Sequence, residues 1–211
     1  MVLGLITEGP TDQVVLRHLL SRYFSDPDID IRPVQPNTDS TDAADHFGGW
    51  KNVLNYCSSA DMVAALEAND YVIVQIDTDV CEEYGVKRRE HDNDLTDVQI
   101  VEKAKAVIIA KIGGELFDRF NNKIVFAISH DSIECWLLPL YYTDKTKSKT
   151  TNCCDTLNQE LRKEGFTIDC GGKKVLYHQK VCKKIRSRAL IESISVHNHS
   201  FHQFIQRLAS I

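Results

Sequence analysis

A chain of 211 residues with 43% apolar and 26% charged residues has the composition of an ordinary soluble globular protein, and its length suits one α/β domain rather than two full enzymes. The formal net charge of −5 argues against a protein that grips nucleic acid with its whole surface, while leaving room for a local basic groove. No apolar run approaches the roughly 20 residues needed to span a bilayer.

Val2 to Thr7 is almost wholly apolar, the pattern of a strand buried on both faces. It runs into Glu8-Gly9-Pro10-Thr11-Asp12, where Pro10 starts a helix whose stripe of Val14, Val15, Leu19 and Leu20 reaches Tyr23 and Phe24 before Ser25-Asp26-Pro27-Asp28 ends it. A second strand is predicted over Asp30 to Val34 and a polar loop over Pro36 to Gly49. One broken helix, or two short ones, follow over Trp50 to Cys57 and Asp61 to Ala68. The strand from Tyr71 to Ile76 then ends in Asp77-Thr78-Asp79.

Cys81 to Asp94 is charged and irregular and reads as a solvated loop. A helix is expected from about Asp97, with Ile100, Val101, Ala104, Val107 and Ile108 at helical spacing and Gly113-Gly114 as its stop. Lys123 to Ser129 is the next strand, and Ile133 to Leu140 reads as a mostly buried helix. From Tyr141 the composition turns basic, with a weak strand at Phe166 to Asp169, a turn at Gly171-Gly172, and helices at about Lys180 to Ser193 and Ser200 to Ser210. Alternating strands and helices imply a mainly parallel sheet with helices on both faces, its first, third and fourth strands ending on one edge. Seven cysteines, with no C-x-x-C pair and no signal-peptide pattern before them, suggest free thiols in a reducing, cytoplasmic setting.

That edge is acidic. Asp77 and Asp79 lie two apart, so on a strand they face the same side and suit a shared cation, although D-x-D alone equally describes a solvated turn. Glu8-Gly9-Pro10-Thr11-Asp12 is more specific: Gly9 lets backbone approach a phosphate and the helix start offers free N–H groups. Its plain alternative is a helix entrance where Asp12 complements the macrodipole. In His130-Asp131-Ser132-Ile133-Glu134, Asp131 or Ser132 suits a helix cap and Glu134 a capping box. Glu134 nevertheless precedes the apolar Cys135-Trp136-Leu137-Leu138-Pro139, and a carboxylate entering a core needs a partner, of which a metal is one. Hard oxygen ligands brought together point to Mg²⁺ or Mn²⁺ and to phosphate chemistry.

The order of these three elements resembles the TOPRIM domain, in particular the small nuclease-type domains of the OLD family and their RloB-like relatives. The similarity covers roughly residues 1 to 140. Glu8 matches the TOPRIM glutamate, Asp77 and Asp79 its D-x-D, and Ser132 with Glu134 the S-x-E of OLD-type enzymes; Glu134-Cys135-Trp136-Leu137-Leu138 is similar to the E-x-W-L-L helix of RloB-like proteins. The resemblance implies a Rossmann-like catalytic core over residues 1–140, continued within the same domain by a basic, mostly helical part over 141–211. It also implies a two-metal Mg²⁺ or Mn²⁺ site acting on DNA or RNA phosphodiesters. Val80, Cys81 and Glu82 follow the second aspartate where topoisomerase and primase branches carry a glycine three residues on, which counts against those branches. OLD enzymes carry an ATPase, yet no G-x-x-x-x-G-K-[ST] occurs here. A separately encoded ABC- or SMC-type ATPase, as in bacterial antiviral defence systems, is therefore the expected partner.

For such a two-metal nuclease, Asp77 and Asp79 are assigned to one cation and Glu8, Asp12 and Glu134 to the other. Glu8 is also a candidate general base, and Ser132 a holder of water or of the second metal. OLD-type sites further use a lysine to offset transition-state charge. Lys173, Lys174 and Lys180 are the candidates, with Lys174 taken as catalytic. Lys173, Lys180, Lys183, Lys184 and Arg186 are candidate contacts to a nucleic-acid backbone, a role that competes with that of a solvated face. His178, His197, His199 and His202 could suggest a metal centre, but His199 and His202 at i and i+3, with no acidic partner beside them, are more typical of chance than of ligation. Two rival functions remain. A haloacid-dehalogenase-like phosphatase would use Asp77 as nucleophile, Asp79 as acid, Ser129 as phosphate hydroxyl and Lys173 or Lys174 as clamp, but leaves the Glu8 motif unexplained. A non-catalytic TOPRIM-like subunit would bind the ATPase and cleave nothing.

Overall fold

The computed structural model describes residues 1–37, 49–171 and 175–211. Most of the expected polar loop, and Lys173 and Lys174, lie outside them. In chain order the elements are β1 (Val2–Ile6), α1 (Pro10–Phe24), β2 (Asp30–Gln35), α2 (Trp50–Cys57), α3 (Ala60–Ala68), β3 (Tyr71–Asp77), β4 (Arg89–Glu90), β5 (Asn93–Asp94), α4 (Asp97–Ile112), α5 (Gly114–Phe120), β6 (Ile124–Ser129), α6 (Cys153–Lys163), α7 (Val175–Cys182), α8 (Arg188–Ser195) and α9 (His199–Leu208). A 3₁₀ segment, Ile133–Leu140, links β6 to the last third.

The central sheet is all parallel, in the order β2-β1-β3-β6, as an α/β fold of Rossmann-like type requires. The strands read as continuous apolar runs because both faces are covered. Leu3, Leu5, Ile73, Val125 and Ala127 point to one face, under α1, the 3₁₀ segment and α6 to α9. Ile6, Val72, Val74, Ile76, Ile124 and Ile128 point to the other, under α2 to α4. One apolar cluster thus runs from Leu3 to Leu208 and joins the acidic core to the basic last third. Trp136 of the 3₁₀ segment anchors that joint: its ring stacks on Phe201 (4.8 Å) and Phe204 (5.4 Å), and its Nε1–H donates to Ser200 Oγ at 3.0 Å.

Several expectations are corrected. The 81–94 stretch is solvated only in part: Cys81, Tyr84 and Val86 are buried in the second cluster, while 91–94 are exposed. Phe166 to Asp169 is not a strand. The Asn158 side chain satisfies both backbone groups of Ile168, accepting its N–H at 2.8 Å and donating to its carbonyl at 3.1 Å, so no sheet partner is needed. The helix expected over Lys180–Ser193 is two, because the Ser187 hydroxyl accepts the N–H of Leu190 and opens a new helix there. Helices α5 and α6 were not anticipated. Nor are the cysteines all free. Cys135 bonds to Cys153 and Cys154 to Cys170, leaving buried Cys57, Cys81 and Cys182 as thiols. Partners 16 and 18 residues apart are invisible to a search for C-x-x-C. Among the described residues no helix is long and apolar enough to cross a membrane.

Candidate functional site

Strands β1, β3 and β6 end on the same edge, and short polar bonds stitch those ends together. Directly after β1, the Glu8 N–H donates to Gln75 Oε1 (3.0 Å), while Glu8 Oε1 accepts the N–H of Asp77 (2.7 Å). Gln75, fully buried one strand away, uses its Nε2 to donate to Asp77 Oδ1 at 2.8 Å. Asp12 is buried in the first turn of α1. A Cβ at Gly9 would come within 3.2 Å of Asp12 Oδ2, so a side chain there would push the carboxylate aside by a few tenths of an ångström.

The turn after β6 is locked to the turn after β3. Asp131 adopts left-handed backbone (φ 62°), which aspartate tolerates better than most residues. Its carbonyl accepts the N–H groups of Thr78 and Asp79, both at 3.0 Å, and its own N–H donates to Thr78 Oγ1 at 2.9 Å. The chain then enters the 3₁₀ segment, where Glu134 Oε1 lies 3.1 Å from Nε2 of the wholly buried His178 on α7.

These groups open onto a cavity of about 850 Å³. Glu8, Asp12, Asp77, Asp79, Asp131 and Glu134 line it together with Asp155 and Ser132. Among the described residues no lysine or arginine lines it. Arg88 stands near Asp79 and Asp131, but its Nη2 is spent on the carbonyls of Thr78 (2.6 Å) and Asp79 (3.0 Å).

So much unneutralised charge raises proton affinity. Burial pushes the Glu8 carboxyl up to about 7, against the Asp77 N–H bond and with help from the Asp79 charge. Burial, then the charges of Glu134 and Glu8, hold Asp12 well above the usual carboxylate range; burial, then Asp12 and Glu8, do the same to Asp77. Asp79 and Asp131 are raised as well, burial again leading. Glu134 alone among them moves down. Burial works against its charge, but the His178 hydrogen bond and charge, with the Ser132 hydroxyl, outweigh it.

No family model matches the chain, nor does any curated protein or solved structure. The site therefore has to be read from its own chemistry.

Of the residues singled out in the sequence, Glu8, Asp12, Asp77, Asp79, Ser132 and Glu134 come together on this cavity. Lys180, Lys183, Lys184 and Arg186 do not line it. Lys180 lies over the Phe166 and Tyr177 rings, and Lys184 pairs with Glu164 at 2.6 Å beneath the face of Tyr141. Ser129, the phosphate hydroxyl of the phosphatase alternative, is fully buried and not part of the lining. Sequence reasoning missed Gln75 and the role of His178. A glutamine inside an apolar strand was a usable signal for the first, because a buried amide needs partners. The second had no local signal, since Glu134 lies 44 positions away.

The donor set fits a hard divalent cation: several carboxylate oxygens, a hydroxyl, and protonation favoured wherever positive charge is missing. Asp131 also stands with Cys135 and Cys153 within 4.8 Å, but those sulfurs are bonded to each other, which leaves oxygen as the available donor type.

Proposed function

We propose that this protein is a Mg²⁺- or Mn²⁺-dependent phosphodiesterase, a nuclease of TOPRIM type resembling OLD-family and RloB-like domains. The observation that carries the reading is the convergence of Glu8, Asp12, Asp77, Asp79 and Glu134 from three parallel strand ends onto one cavity whose described lining holds no basic side chain. In that reading Asp77 and Asp79 hold one cation, and Glu8, Asp12 and Glu134 the other. The bound cations would supply an activated water and neutralise charge on the leaving oxygen. The chain's own residues do the rest. Gln75 and the Asp77 N–H keep Glu8 and Asp77 in fixed relation across two strands. The Thr78–Asp131 bonds hold the Asp79 turn against the end of β6. Glu8 is the candidate general base for the attacking water.

By the same resemblance Lys174 would offset transition-state charge. The exposed basic side chains of Lys183 and Arg186, with Lys173, Lys180 and Lys184, would meet the nucleic-acid backbone. A separately encoded ABC- or SMC-type ATPase would, by that resemblance, control the nuclease in antiviral defence. The cytoplasmic setting rests on the substrate, because the two disulfides speak for an oxidising environment.

Incubating the purified chain with plasmid DNA and with total tRNA, in Mn²⁺, Mg²⁺ or EDTA, tests the proposal. Cleavage that needs the metal and disappears in Asp77→Asn is the expected result. Metal binding without cleavage of either substrate would return the chain to the role of a non-catalytic subunit.

A further inference from the structure

Among the described residues His178 is the histidine bonded to an acid of the carboxylate cavity, and it arrives from the basic last third rather than from the strand ends. Its ring is wholly buried; Nε2 lies 3.1 Å from Glu134 Oε1, and Nδ1 has no hydrogen-bond partner among the described residues. An ionised carboxylate only accepts, so the proton in this contact sits on Nε2. A histidine kept for packing alone would bury a polar ring at a cost that Phe or Leu would avoid. Here one contact answers that cost, and it is made to an acid lining the cavity. Helix α7 is placed for the purpose, packing on α1, whose first turn carries Asp12.

We propose that His178 is a positioning residue for Glu134: by holding Oε1 it fixes the orientation of the carboxylate as a ligand for the divalent cation. The proposal rests on the metal-centre reading above. It assigns the last third of the chain a part in building the site, separate from any contact with nucleic acid.

The test is Mn²⁺ affinity of the full chain, read from the electron paramagnetic resonance signal of free Mn²⁺, in the wild type, Glu134→Gln, His178→Leu, His178→Gln and the Glu134→Gln/His178→Leu double variant. Loss of a partner of this kind weakens metal binding by about 10- to 100-fold, and that is expected of His178→Leu. His178→Gln, whose amide nitrogen reaches the place of Nε2, should bind close to the wild-type value. In the Glu134→Gln background, His178→Leu should add nothing further. Wild-type affinity in His178→Leu, or an equal loss in both backgrounds, overturns the positioning role. If His178→Leu does not fold, His178→Asn replaces it: its shorter side chain falls short of Oε1, and wild-type affinity there is equally fatal. A wild type without Mn²⁺ binding, or an unchanged Glu134→Gln, instead sinks the metal centre itself, and the positioning role with it.

Discussion

Asp77 and Glu134 line the same cavity, yet they answer burial in opposite ways. Asp77 stands at the strand-end rim among Glu8 and Asp12, and like charges add to desolvation to push its proton affinity up. Glu134 stands on the wall built by the 3₁₀ segment, where the His178 contact from α7 keeps it ionised. Rim and wall differ in whether the protein itself supplies a counter-group. At the wall the fold provides one; at the rim the described lining provides none, and a proton or a cation must.

The largest effect expected is at the rim. Asp77→Asn should reduce metal-dependent cleavage to background, while the metal-free variant melts at or above the wild-type temperature at pH 8, since a source of repulsion has gone. A gel assay and a thermal melt on the same samples check both. A lower melting temperature in the metal-free variant would break the contrast, because Asp77 would then be contributing stability as a charge.

Next comes the cross-link behind the wall. Cys135 follows Glu134 directly and bonds to Cys153 of α6, both sulfurs buried, with a sequence separation of 18. Opening a loop of that size should cost about 3 kcal/mol, or roughly 6–12 °C in a chain of this length. Cys135→Ser/Cys153→Ser measured beside Cys154→Ser/Cys170→Ser sharpens the point. Cys170 is exposed, so mild reductant should open that bond first and leave the one beside Glu134 intact, as alkylation and mass spectrometry would reveal.

The pH response is smaller and carries the sign of the rim. Glu8 is raised from 4.5 to about 7, so the stability due to its protonated form is fully present below about 4.5 and is lost as pH rises through about 7; Asp12 and Asp77 shift in the same direction. Glu134 is lowered and works the other way, its contribution being present above its ordinary range and lost as pH falls through the lowered value. The metal-free melting temperature should therefore decline between pH 5 and pH 8, Glu8→Gln should flatten that decline, and Mn²⁺ at pH 8 should reverse it. A flat profile in the wild type would show that the rim carries no excess proton affinity.

The smallest effect is at a second pair of opposite charges. Lys184 and Glu164 approach to 2.6 Å, but with 38% and 42% of their side chains exposed water screens them. Lys184→Ala should cost at most about 1 kcal/mol, including the loss of its place over Tyr141. A greater loss in the melt would mean that exposure is not what separates this pair from the His178–Glu134 contact.

The sequence by itself determined the parts of the molecule whose rules are local. Apolar runs of the right length, Pro10 at a helix start, a helix opening near Asp97 and the acids that follow Ile6 and Ile76 were all legible, because strand period, helix capping and turn chemistry act over a few residues. The mainly parallel sheet and the meeting of strand ends on one edge followed from alternation and handedness, while the order that sets β1 between β2 and β3 came from the tertiary structure. Tertiary structure alone decided the rest: the left-handed turn at Asp131 that ties two loops, Gln75 bridging two acids, Asn158 standing in for a sheet partner at Ile168, the pairing of four cysteines, and His178 closing on Glu134. Each of these satisfies a buried polar or reactive group with a partner brought near only when the helices pack, and local pattern carries no trace of a partner chosen by packing.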